Sequence, residues 1–217
     1  MNKRWSVMKS LVTAEMPTIF QVGVNHASEM PDFKRTWPQA DLWLFEPRCD
    51  AFKRLTAKFA GDPLIHLSSK AVSKTEALMD FHVTFYPGQS SLLKRNTESK
   101  HYVDTKRVVK TIKVQTITLD SFCARRGIGK VDLLYIDIQG GELSAFEGAV
   151  GLLKRGAIDV IHTEVFFMDL YQNCPQFADV RQHLEGYGYQ FRRFFSGGGG
   201  INKPTATWSD ALFVKGD

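Results

Sequence analysis

The chain has 217 residues, of which 43% are hydrophobic and 24% are charged, and it carries a formal net charge of +5. This composition is typical of a globular protein and excludes a disordered, collagen-like or coiled-coil chain. At about 150 residues per domain, the length predicts one domain spanning residues 1–217. The small basic excess weakly favours an anionic partner such as nucleic acid, a phosphorylated sugar or a membrane surface.

The cysteines and the apolar runs indicate the compartment. Cys49, Cys123 and Cys174 are widely spaced and form no C-x-x-C pair, so we predict neither a disulfide framework nor a zinc site. Charged residues interrupt the N-terminal stretch before it forms a signal-peptide core, and no apolar run approaches the roughly 18 residues of a membrane span. We therefore expect a soluble cytoplasmic protein without a transmembrane segment.

The first third of the chain alternates strand-like and helix-like segments, which indicates βαβ units and a mainly parallel sheet. The predicted strands are 19–24, 41–46 and 64–67. The helix after the first strand places Met30, Phe33 and Trp37 at helical spacing, with Ser28 as a possible cap. The helix after the second strand buries a face with the residues Phe52, Leu55 and Phe59.

The rest of the chain continues the pattern after a polar interruption. Strands are predicted at 78–85, 114–119, 131–138 and 158–167, and helices at 142–156 and 177–184. The polar, basic stretch 86–113 is predicted to be a long insertion, and such loops are often functional. Strands at 189–195 and 211–214, joined by a loop that contains Gly197 to Gly200, predict a C-terminal β-hairpin at about 189–215.

Candidate ligand-binding residues follow the predicted strands, because ligands of doubly wound sheets bind at the carboxyl ends of the strands. Gly23 and Asn25 follow the first strand. Glu46 ends the second strand, close to the roughly 20-residue interval at which an acidic residue contacts ribose hydroxyls in nucleoside-binding folds. The structural alternatives are an ordinary turn at Gly23 and a glutamate that caps the next helix.

Three carboxylates are expected at the same edge of the sheet. Asp137 ends the most apolar strand, Glu142 follows the adjacent glycine turn, and Glu164 lies near the end of the next strand. They could accept a proton from a hydroxyl or gather a divalent cation, although no metal-ligand motif indicates a cation site. Capping of the helix that starts near Glu142 is the structural alternative for Asp137.

These segments together resemble the FkbM family of S-adenosylmethionine-dependent methyltransferases over roughly residues 18–167. The most specific parts are the FEP segment at 45–47 and the ID-x-x-G-x-E segment at 136–142, which continues to Gly148 and Ala149. The other matching segments are QVGVN (21–25), AVS (71–73), SSL (90–92), TLD (118–120) and TE (163–164).

The resemblance implies an α/β, three-layer, Rossmann-like methyltransferase fold. Its seven-stranded sheet has the order 3-2-1-4-5-7-6, with the last strand antiparallel. The implied activity is transfer of a methyl group from S-adenosylmethionine to a hydroxyl oxygen of a small acceptor, a carbohydrate or natural product.

The resemblance also implies the roles of site residues. Those expected to bind the cofactor are Gln21, Gly23, Asn25, Glu46, Pro47, Ala71, Val72, Ser73 and Asp137. Asp137, Glu164 and Glu142 are the expected catalytic carboxylates, and Ser90 and Ser91 are expected to face the acceptor. Three positions depart from the family pattern, since Gln21 replaces an acid, Ala27 a glycine and Gln139 a glutamate.

Two other functions remain open from the sequence. A nucleic-acid (RNA) methyltransferase is suggested by the basic stretch 94–113 and by Arg192 and Arg193, although these lack the interleaved aromatic residues of a base-stacking surface. A non-catalytic binding module that kept the fold is suggested by the three departures from the family pattern.

Overall fold

A computed structural model describes residues 3–99, 107–195 and 206–216 of the chain. The helices are α1 (Lys3–Leu11), α2 (Met30–Thr36), α3 (Cys49–Lys58), α4 (Leu119–Arg126), α5 (Glu142–Glu147), α6 (Val150–Lys154) and α7 (Phe177–Glu185). The strands are β1 (Thr18–Val22), β2 (Asp41–Phe45), β3 (Ile65–Ser68), β4 (Ala71–Val72), β5 (Leu78–Thr84), β6 (Val108–Ile117), β7 (Val131–Ile136), β8 (Ile158–Phe166), β9 (Tyr189–Phe194) and β10 (Trp208–Lys215).

The main sheet has seven strands in the order β3-β2-β1-β7-β8-β10-β9. Numbered within this sheet alone, the order is 3-2-1-4-5-7-6, and β10 is antiparallel to both of its neighbours. The predicted fold is therefore confirmed. The strand order reverses between β1 and β7, which is where ligands bind in sheets of this kind.

Strand β7 is buried along its whole length because helices cover both faces of the sheet. Leu134 packs in one apolar layer with Phe146 of α5, whereas Leu133 packs in the other layer with Phe33 of α2. Trp5 of α1 also belongs to the second layer and is 1% exposed, although we predicted no helix there. Alternation along one strand thus builds the three layers.

A second, three-stranded sheet has the order β4-β6-β5. Its central strand corrects the predicted bounds 114–119, because β6 runs from Val108 to Ile117 in antiparallel register with β5. The last six residues of the stretch 86–113 are therefore strand. Leu119 instead begins α4, where the Thr118 side chain accepts a hydrogen bond from the Ser121 N–H at 3.1 Å.

The helix predicted over 142–156 is two helices. At Gly148 between them, a Cβ atom would lie 2.3 Å from the carbonyl oxygen of Ser73, so this backbone packs directly against the second sheet. The Asp120 carboxylate then accepts hydrogen bonds from the N–H groups of Gly151 and Leu152 at 2.7 and 2.8 Å. These N–H groups in the first turn of α6 have no partner within the helix. Long-range contacts therefore override the continuous helical spacing.

The chain ends in the predicted antiparallel hairpin, formed by β9 and β10. The predicted connecting loop from Gly197 to Gly200 lies outside the described residues. Within the described ranges, no helix is both long and apolar enough to cross a membrane.

Candidate active site

A cleft opens at the carboxyl ends of β1 and β7, where the strand order reverses. Gly23 lines it and has a φ of +86°, and a Cβ atom there would lie 1.8 Å from the carbonyl oxygen of Asp137. The glycine is therefore required by the close approach of the β1 and β7 ends. This requirement comes from the protein backbone and does not depend on which ligand the cleft binds.

Glu46 lies directly after β2 and lines the cleft as predicted, with Pro47 beside it. One carboxylate oxygen accepts the Asn25 N–H at 2.7 Å and the other accepts the Arg48 N–H at 3.0 Å. Burial raises the pKa of Glu46, and these two backbone hydrogen bonds oppose the rise. Each oxygen keeps acceptor capacity for a further donor, so the carboxylate can bind both hydroxyls of a vicinal diol.

An apolar wall stands beside Glu46. Phe45, Ala71, Val72 and Phe81 line this part of the cleft, which suits the flat base of a nucleoside. Ser73, also predicted to border the base, is buried and shares a hydrogen bond of 3.1 Å with the hydroxyl of Ser144 in α5. Its side chain therefore joins the second sheet to α5.

The predicted carboxylates meet at the other end of the cleft. Oxygen atoms of Asp137, Glu142 and Glu164 lie within 4.8 Å of one another. The side-chain amide of Gln139 donates to Asp137 at 2.8 Å and to Glu164 at 2.6 Å, while its carbonyl accepts the Tyr171 hydroxyl at 2.6 Å. The amide therefore holds the two carboxylates together in a fixed geometry.

The carboxylates differ in exposure and in proton affinity. Asp137 lines the cleft and is exposed there, whereas Glu142 and Glu164 are buried. Loss of hydration among surrounding protein atoms raises the pKa of Asp137 to about 6, although the Gln139 amide opposes the rise. Burial and the nearby Asp137 charge raise the pKa of Glu164 well above its ordinary value. Burial therefore favours the neutral form of Glu164, and Asp137 is the member of the pair that is exposed in the cleft.

Glu142 has a structural task in the turn after β7. Its two carboxylate oxygens accept the N–H groups of Ile138 and Gly140, each at 2.8 Å, and burial raises its pKa to about 8. Because both oxygens close this turn, and because the Gln139 amide lies between the other two carboxylates, the three acids form a hydrogen-bonded cluster.

The two serines that were predicted to face the acceptor occupy different places. Ser90 lines the cleft, and its hydroxyl oxygen accepts the Thr84 N–H at 3.1 Å. The Ser91 hydroxyl instead donates to the Ile138 carbonyl at 3.4 Å and accepts the Leu93 N–H at 2.9 Å. Ser91 therefore joins the segment after β5 to the turn after β7.

Gln21 also differs from its predicted place. It is 1% exposed, and among the described residues it is not one of those that line the cleft. Its amide donates to the carboxylate of Glu29 at 3.1 Å, and Glu29 does line the cleft. Sequence analysis missed Glu29; the only signal for it was that Gln21 offers no carboxylate of its own.

Two further functional side chains had no sequence signal. The guanidinium of Arg48 is buried beside the cleft and donates to Asp50 at 2.6 Å and to the Asn25 side chain at 3.4 Å. Tyr171, from the loop between β8 and α7, is fully buried and orients Gln139 through its hydroxyl. Both positions depend on how distant loops pack.

Comparison with known proteins agrees with this architecture. The sequence profile of the Methyltransferase FkbM domain matches residues 16–191. A 2-O-methyltransferase, NoeI, from Sinorhizobium fredii is 27% identical over 169 residues, which cover 75% of this chain and 69% of that protein.

Two solved structures are similar in fold. An rRNA methylase from Streptococcus thermophilus has a TM-score of 0.55 at 6% identity, covering 99% of this chain and 95% of that one. Fibrillarin from Aeropyrum pernix, solved with S-adenosyl-L-methionine, has a TM-score of 0.53 at 11% identity, covering 97% of this chain and 73% of that one. At these identities, the likeness concerns the fold alone.

Proposed function

Since the chain belongs to the FkbM family of S-adenosylmethionine-dependent methyltransferases, we propose that it methylates a hydroxyl oxygen of a small acceptor, a carbohydrate or natural product. The observation that carries this proposal is the position of Asp137, an ionisable carboxylate exposed in the cleft at the switch point of the sheet. The name of the relative NoeI, a 2-O-methyltransferase, supports oxygen as the receiving atom. Family membership favours an enzyme over a non-catalytic binding module.

The residues of the cleft fit S-adenosylmethionine. Glu46 would accept hydrogen bonds from the ribose hydroxyls, and the wall formed by Ala71, Val72 and Phe81 would cover the adenine. When bound, S-adenosylmethionine supplies an electrophilic methyl group on a sulfonium. An oxygen nucleophile then needs alignment with that methyl group and a base for its proton.

Asp137 is the proposed base. Its carboxylate accepts the Gln139 amide and shares a hydrogen bond with Glu164, and it keeps acceptor capacity for the proton of the acceptor hydroxyl. Gln139 is in turn fixed by Tyr171, so the orientation of the base is set before the acceptor binds. Burial raises the pKa of Glu164 and so favours its neutral form, which would limit the negative charge beside Asp137.

We propose that the segment after β5 selects the acceptor. Ser90 and Leu92 of this segment line the cleft, and the carbonyl oxygen of Gln89 lies 3.0 Å from the Tyr171 hydroxyl, which shares its one proton between this carbonyl and that of Gln139. The backbone of Arg95 forms an isolated antiparallel β-bridge with Tyr171. Its guanidinium lies 4.5 Å from the centre of the Tyr171 ring. The segment is thus attached to Tyr171, the residue that orients Gln139 and, through it, the proposed base Asp137.

The proposal is tested by cofactor binding followed by a methyl-transfer screen. Calorimetry would measure the affinity for S-adenosylmethionine, and a labelled methyl group would then be followed into sugars, glycolipid head groups and RNA. We expect the label on a hydroxyl oxygen of a sugar, located by mass spectrometry. Label in RNA, with binding that weakens steeply as salt increases, would support the RNA alternative instead.

The pKa of Asp137 predicts a pH dependence. Because a base must be ionised and loss of hydration raises the pKa of Asp137 to about 6, kcat/KM is expected to fall about tenfold per pH unit below that value and to level off above it. The measurement is a pH profile of kcat/KM, with circular dichroism at each pH to show that the fold persists. A rate that stays constant from about pH 5 to about pH 8 in the folded protein would contradict the assignment.

A further inference from the structure

The cleft is lined by Glu29, an acidic side chain that the sequence did not predict to be part of the site. At the end of β1, where the pattern has an acid, this chain has Gln21, a neutral and buried residue. Glu29, at the start of α2, lines the cleft near that position. The structure therefore supplies a carboxylate from a different element.

Two neutral groups orient this carboxylate. The Gln21 amide donates to one oxygen of Glu29 at 3.1 Å, and the Ser28 hydroxyl donates to the other at 2.9 Å. Because these donors are uncharged, they fix the direction of the carboxylate without neutralising its charge. Each oxygen keeps acceptor capacity for a donor in the cleft.

This end of the cleft is electrostatically suited to a cation. The charge of Glu29 contributes to raising the pKa of both Asp137 and Asp210, so the three carboxylates act on a common region. Arg4 offsets part of this charge through its ion pair with Asp210 at 3.0 Å. Glu29 lines the cleft, so a cationic group bound beside it would meet its carboxylate.

We infer that Glu29 binds the ammonium group of the methionine part of the cofactor, and that Gln21 is a positioning residue for Glu29. The inference rests on the proposed cofactor site and adds the residue that recognises the amino-acid end. The amide of Gln21 thus acts on the ligand only through the carboxylate it holds.

The test compares two ligands that differ by the amino-acid part. S-adenosylhomocysteine carries the ammonium group, whereas 5′-methylthioadenosine has the same nucleoside thioether without it. We expect Glu29→Gln to lower the affinity for S-adenosylhomocysteine about tenfold, since one hydrogen bond to a charged group is lost. The affinity for 5′-methylthioadenosine should stay within about a factor of two of the wild-type value. Gln21→Met should lower the affinity for S-adenosylhomocysteine by a smaller factor, and it should likewise leave the affinity for 5′-methylthioadenosine nearly unchanged.

Asp32→Asn is the matched control, because it removes a carboxylate from the first turn of the same helix, where Asp32 pairs with Arg35. It should change neither affinity. Equal weakening of both ligands by Glu29→Gln, or an unchanged affinity for S-adenosylhomocysteine, would overturn the inference. A wild-type protein that binds neither ligand would contradict the proposed function as well, and this result is distinguishable because it precedes any substitution.

Discussion

Asp137→Asn is expected to lower the single-turnover rate by about 10²–10⁴ while the affinity for S-adenosylhomocysteine stays within about a factor of three. Asparagine has nearly the same shape and can still contact Gln139, but it cannot take the proton of an acceptor hydroxyl. Asp137 is exposed in the cleft, so the substitution leaves no buried charge without a partner. The measurements are a rapid-quench methyl-transfer rate and a calorimetric affinity on the same preparation.

Asp132→Asn provides the control from the opposite end of the same strand. Asp132 accepts the Thr18 N–H at 2.8 Å and pairs with Lys130 at 2.9 Å, so its loss should lower the melting temperature without slowing transfer. If Asp137 were only structural, its variant would behave like this control. A normal transfer rate with a lowered melting temperature in Asp137→Asn would therefore remove Asp137 from the catalytic role.

Glu46→Ala is expected to lower the affinity for S-adenosylhomocysteine about tenfold to a hundredfold, which corresponds to roughly 1.5–3 kcal/mol of binding free energy. The lost carboxylate would have accepted hydrogen bonds from both ribose hydroxyls. The substitution also leaves the N–H groups of Asn25 and Arg48 without their present acceptor, so we expect a lower melting temperature in addition. Calorimetric titration gives the affinity, and thermal unfolding shows how much of the protein is folded.

Asp50→Ala is the control for Glu46. Asp50 is an exposed carboxylate that pairs with Arg48 and Arg54, so its removal alters the charge near the cleft without removing a cleft-lining carboxylate. Asp50 does not line the cleft, so the affinity should change little, whereas loss of its pair with the buried Arg48 should lower the melting temperature. An unchanged affinity in folded Glu46→Ala would show that this residue does not hold the ribose.

The strands of the main sheet were predictable because their signal is local. The apolar run from Val131 to Ile138, broken only by Asp132 and Asp137, predicts a strand covered on both faces, and βα alternation with short connections predicts parallel neighbours. The positions of Glu46 and Asp137 followed from the same signal. A residue that ends a parallel strand must lie at the carboxyl edge of the sheet, whatever packs elsewhere.

Other features were not predictable because they depend on residues far apart in the chain. The helical spacing over 142–156 is continuous, yet the helix breaks where Gly148 meets the Ser73 carbonyl. Similarly, β6 begins in a stretch whose basic, polar composition is typical of a loop, because pairing with β5 satisfies its backbone.

The amino-acid sequence by itself therefore determined which segments form the main strands and the edge at which the site lies, because periodicity and chain order are local properties, whereas the order of the strands in the sheet came from the family resemblance. Tertiary structure decided which side chains act at that edge. Gln21 lies in β1 as predicted, but Glu29 at the start of α2 lines the cleft in its place and accepts the Gln21 amide. Tyr171 orients Gln139 from a loop 32 residues away in sequence. Such contacts arise from the packing of several elements at once, and no local pattern encodes them.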